Sequence, residues 1–113
     1  MIINTAAGTP VGAELIRNYF KSLVNQFFKI LPIRENEGHT LPVYLRSLQI
    51  ELLGNKEFVP DFGTNASYLA LLSILQYMID NPDCETAEVR REVFRAISIC
   101  NKLKAIYAEN EVQ

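Results

Sequence analysis

Residues 66–79 read ASYLALLSILQYMI, a run without a single charge in which only Ser67, Ser73 and Gln76 are plainly polar. Its Leu, Ala, Met and Gln content favours helix. A helix that is apolar nearly all round belongs in the middle of a core or inside a membrane. A membrane span needs about 20 apolar residues, and Asp80, Asn81 and Pro82 close this run early. The stretch therefore predicts a central buried helix over 66–80, capped by Thr64 or Asn65, with the rest of the chain packed around it.

The segments on either side are helical as well. Upstream, Leu41, Tyr44, Leu45, Leu48 and Leu52 recur at three- and four-residue steps, which predicts a second helix over 41–53. Thr40 is its expected cap, Pro42 is tolerated in its first turn, and Gly54-Asn55 supplies the expected left-handed stop. Further upstream, Thr9-Pro10 reads as a hydroxyl cap followed by proline at the first helical position. A first helix should then run over 10–31, until Pro32 stops it. Residues 1–9 form an expected flexible leader with little structure, and 32–40 an expected polar loop. Downstream, Asn81-Pro82 breaks the chain, and Val89, Val93, Ala96, Cys100, Leu103 and Tyr107 follow four-three spacing through a fourth helix over 86–108. The fold expected is all-α, a compact bundle of about four helices (10–31, 41–53, 66–80, 86–108) forming one domain over 10–113.

Two features exceed what such a bundle needs. On a helical wheel, the apolar residues of helix one, from Leu15 to Leu31, fill an arc of about 180° that Phe28 widens. One neighbour covers a stripe only a little over 100° wide, so this helix should touch two neighbours or something outside the chain, a second copy included. The connection 54–65 carries Phe58, Val59 and Phe62, which either close the end of the bundle or form a docking loop.

The chain has 113 residues, 49% of them apolar, a net charge of −2, two cysteines and one histidine. The charge is uneven: +3 over 1–34, −7 over 35–88, +4 over 89–108 and −2 in the tail. The start MIINTAAGTP lacks the basic and long apolar regions of a secretory signal, so a cytoplasmic protein with reduced thiols is expected.

No catalytic constellation emerges. The chain has no Gly-rich phosphate loop, no GxSxG, no CxxC pair and no His-containing metal motif. His39 falls in the polar loop and Cys100 on the apolar seam of helix four. Cys84, near a helix start, has no assignable base. The turn acids Asp80, Asp83, Glu85 and Glu88 lack the order and glycine of a calcium loop. Neither a cofactor nor a metal is expected. Tyr44, Tyr68 and Tyr77 could line a polar pocket with Ser73 and Gln76, or find separate partners.

A non-enzymatic helical interaction protein is the reading that remains: an adaptor, inhibitor or accessory factor of the kind phages and mobile elements often carry. Its candidate partner surface is Phe94, Arg91, Arg95, Lys102, Phe58 and Phe62, since aromatics beside arginines are the usual composition of interface hot spots. The alternative is a nucleic-acid accessory protein. Arg91, Arg95 and Lys102 lie within about 40° of one another on helix four and could follow a phosphate backbone. A third option places helix one, with Lys21 and Lys29 on its polar face, at a membrane surface.

Overall fold

The computed structural model describes residues 3–111, with side chains through Tyr107. Met1, Ile2 and the last two residues, which belong to the expected leader and acidic tail, lie outside the described residues. The fold is an all-α bundle. Strands β1 (Ile3–Asn4) and β2 (Pro10–Val11) precede helices α1 (Ala13–Phe28) and α2 (Ile30–Asn36). A 3₁₀ turn at Gly38–Thr40 leads into α3 (Leu41–Phe58), α4 (Pro60–Gly63), α5 (Ala66–Asp80) and α6 (Thr86–Glu111).

Proline chemistry sets most of the boundaries, and it moves several from where the sequence reading put them. Pro32 does not stop helix one at residue 31. A helical proline lacks the N–H that would bond the carbonyl four residues back, and its ring crowds that carbonyl. For Pro32 this is Phe28, where α1 ends. Helix then resumes as α2, which carries Pro32 in its first turn and Ile33 N–H on Lys29 O at 3.1 Å. Gly54-Asn55 does not stop helix two either. The φ of Gly54 is negative, α3 runs through it, and it ends where Pro60 forces Val59 into an extended conformation (φ −117°, ψ 96°). Thr40 caps nothing with its side chain; its hydroxyl donates to Glu37 O at 2.8 Å. Asn65 does cap α5, its Oδ1 accepting from Tyr68 N at 3.1 Å.

Residues 3–11 form a hairpin instead of a structureless leader running into a helix at Pro10. β1 and β2 pair antiparallel, Ile3 opposite Val11 and Asn4 opposite Pro10. The turn between them is closed by Thr5 N–H on Thr9 O at 2.8 Å and by Thr9 N–H on Thr5 Oγ1 at 3.1 Å. Gly8 takes φ +83°, a conformation that costs other residues a steric clash. Ala6 N–H bonds Phe58 O at 2.7 Å, tying the hairpin to the end of α3.

The most extensive helix contact is α1 against α6, with α5 lodged between α6 and α3. Tyr68, Leu71, Ile74, Leu75 and Met78 of α5 are buried, while Ala66, Leu69, Ser73, Gln76 and Asp80 form a regular exposed stripe. Ile16, Phe20, Leu23 and Phe27 of α1 pack against the α6 seam of Val89, Val93, Ala96, Cys100, Leu103 and Tyr107, all buried. Leu15 and Phe28, near the two ends of α1, remain exposed. No helix among the described residues is long and apolar enough to cross a membrane.

Candidate functional site

A wide recess lies where the hairpin meets the bundle. Its walls are the hairpin turn (Thr5, Thr9, Pro10, Val11), the first two turns of α1 (Leu15, Ile16, Asn18, Tyr19) and the end of α3 with α4 (Asn55, Phe58, Val59, Phe62). Its volume is about 620 Å³, within the usual range of roughly 300–1,000 Å³ for a ligand cleft. Leu15 and Phe58 stand on its rim, 66% and 59% exposed. Val59 and Phe62 are buried in its floor. The connection 54–65 thus divides: Phe62 and Val59 close the bundle, and Phe58 turns outward.

Beneath the floor is an aromatic cluster. Phe62 stacks on Tyr68 with centroids 4.7 Å apart and meets Phe20 edge-on at 5.5 Å. Phe20 in turn stacks on Tyr107 at 5.8 Å. Tyr68 donates its hydroxyl to Leu52 O at 2.6 Å, and Tyr107 to Asp61 Oδ2 at 2.8 Å. Tyr19 sits at the boundary between cluster and recess. Its buried hydroxyl lies beside Asn55 and Tyr68 without a well-formed hydrogen bond. Burial pushes the Tyr19 phenol up to about 12, and it raises Tyr68 and Tyr107 as well. These hydroxyls stay protonated at neutral pH and can donate hydrogen bonds.

The tyrosine pocket does not form. Tyr44 donates to Gln26 O at 2.7 Å, Tyr68 to Leu52 O, and Tyr77 to the Glu88 carboxylate. Ser73 bonds Leu69 O within its own helix, and Gln76 bridges Gln49 and Asp80. Cys100 is buried on the α6 seam, which pushes its thiol up to about 12 and makes it an inert core residue. Among the described residues no group of three or more His, Cys, Asp or Glu could hold a metal ion.

The second group of candidate residues lies on α6, with Phe58 and Phe62 at the opposite end of α1. Phe94 is 45% exposed and meets exposed Phe28 edge-on at 5.8 Å. It is neither core nor a lone anchor, but half of an aromatic pair. Arg91 and Arg95 are exposed and already matched: Arg91 lies 3.8 Å from Glu88 and 3.7 Å from Glu92, and Arg95 lies 3.4 Å from Glu92. Lys102 is exposed about two turns beyond Arg95 and three beyond Arg91. The recess itself escaped the sequence reading, because it depends on the hairpin. The one available signal was Thr5-x-x-Gly8-Thr9 between two short apolar pairs. The chain matches no protein-family model, no curated protein and no solved structure.

Proposed function

We propose that this chain is a non-enzymatic interaction protein that holds an apolar segment of another protein in the recess between the hairpin, α1 and α3. One observation carries the reading: Leu15 of α1 and Phe58 of α3 stand exposed at the rim of an apolar cleft of about 620 Å³. Bulky apolar side chains left in water around a concavity characterise interaction sites more than folding cores. Asn18 and Asn55 add side-chain amides to its lining, enough to orient a backbone or a single polar side chain.

The nucleic-acid alternative draws less support, because Glu88 and Glu92 already offset Arg91 and Arg95. The test is affinity capture from the native host with wild type, Leu15→Asp and Phe58→Asp. Both substitutions lie at exposed positions, so melting temperatures should barely move. Proteins recovered with wild type and lost with both variants support the recess. An unchanged set of recovered proteins overturns it.

A further inference from the structure

The outer face of α3 carries a heptad seam that nothing among the described residues covers. Val43, Arg46, Ile50, Leu53 and Glu57 recur at alternating three- and four-residue steps, the spacing of helix-pairing positions. On a wheel they fall within about 80° of one another. Val43 is 70% exposed, Ile50 61% and Leu53 41%, on the side of α3 turned away from the core residues Leu45, Leu48 and Leu52. Neither Arg46 nor Glu57 belongs to an ion pair among the described residues. Arg46 donates a long bond of 3.4 Å to buried Gln49 Oε1 on the flank of the seam nearest α5, and Gln49 donates to Gln76 of α5 at 2.6 Å.

We infer that this face pairs antiparallel with the same face of a second copy. The order of the residues makes the seam complementary to itself. In an antiparallel pair the two seam positions of each heptad face one another crosswise. A two-fold axis midway between Ile50 and Leu53 sets Ile50 against the partner's Leu53, and Leu53 against the partner's Ile50. The same axis sets Arg46 against the partner's Glu57, twice. A parallel pair would instead align Arg46 with Arg46 and Glu57 with Glu57. The charges thus select both the occupant and its direction. Gly54 flanks the seam, and a Cβ there would meet nothing within 4 Å, so the partner's backbone can approach closely. Two heptads bury less than a standard interface of about 1,600 Å², so the dimer dissociates in the micromolar range or above.

Sedimentation equilibrium from about 10 µM to about 1 mM brackets such an affinity. The variants are Arg46→Glu, Glu57→Arg, the double exchange, and Lys102→Glu as a charge-matched control on α6. Expected are a concentration-dependent wild-type dimer, about tenfold weaker association in each single reversal, and recovery in the double exchange. The Lys102→Glu control should match wild type, as should Leu15→Asp, since the recess plays no part in this contact. A monomer at every concentration overturns the inference. So does a dimer indifferent to both reversals, weakened equally by Lys102→Glu, or abolished by Leu15→Asp.

Discussion

At the scale of single residues, burial separates positions that sequence alone leaves equivalent. Leu72 and Leu75 both lie in the uncharged run, yet Leu75 is fully buried and Leu72 only half. Leu75→Ala should cost about 2–5 kcal/mol by urea unfolding, and Leu72→Ala less. Equal losses would show α5 to be enclosed on all sides. Phe94 is held by one edge-to-face contact with Phe28. A double-mutant cycle at the two should give about 0.5–1.5 kcal/mol of coupling, far below the loss from emptying a core site. A coupling near zero would make them two independent exposed rings. All five tyrosines titrate above their ordinary value, Tyr19, Tyr68 and Tyr107 chiefly through burial and Tyr77 chiefly through its bond to Glu88. The unfolded chain releases phenolic protons near about 10, while folded Tyr19 and Tyr77 keep theirs to about 12. Above about 10 the unfolded state therefore binds fewer protons, and stability falls with rising pH. The stabilisation is intact below about 10 and lost as pH rises through about 12. Urea midpoints followed alongside phenolate absorbance should decline together over that window; phenols that all titrate near 10 without loss of structure would contradict the burial.

At the scale of elements, glycine and proline show where local rules and tertiary context part. Gly54 lies inside α3 with open space around its Cα, so Gly54→Ala should stabilise the monomer by about 0.5–1 kcal/mol. Gly8 sits at φ +83°, so Gly8→Ala should destabilise by about 1–2 kcal/mol. Thermal unfolding of the two variants checks both signs, and a shared sign would refute the contrast. The four apolar helices were legible because their periodicity is a property of the residues themselves: the seam from Val89 to Tyr107 is buried as its spacing requires. The boundaries were less legible. Gly54-Asn55 carries a stop signal that packing of Leu52 and Val59 on either side overrides. Pro32 acts on a carbonyl four residues back, at Phe28, and not on its own position. The hairpin was not legible at all, since two-residue strands have no period, and Ala6 reaches its partner Phe58 across most of the chain's first half. For the candidate site, Phe58 could be singled out as an exposed aromatic, whereas Leu15 was indistinguishable from the core residues of helix one.

At the scale of the whole molecule, the two longest-range partners hold the fold together. α1 and α6 form the largest contact although some sixty residues of chain separate them. Tyr107 completes that contact: its ring stacks on Phe20 of α1 and meets Phe62 of α4 edge-on at 6.1 Å, while its hydroxyl donates to Asp61. α5 then rests on α6, and α3 on α5. The α1–α6 contact is the largest in the fold and α5 rests on α6 in turn, so unfolding should be one cooperative transition. The chain has no tryptophan, and tyrosine fluorescence therefore reports on its five tyrosines, three of them in the Tyr19, Tyr68 and Tyr107 cluster, while circular dichroism reports on all helices. The two signals should coincide in urea. Tyr107→Phe removes one hydrogen bond and should cost about 1 kcal/mol; Tyr107→Ala should cost about 3–5 kcal/mol. Ending the chain after Lys102 removes both Leu103 and Tyr107, opens the aromatic cluster to water, and should abolish the sigmoidal transition altogether. A truncated chain that still unfolds cooperatively would mean that α3 and α5 carry a core of their own, with α6 only resting against it.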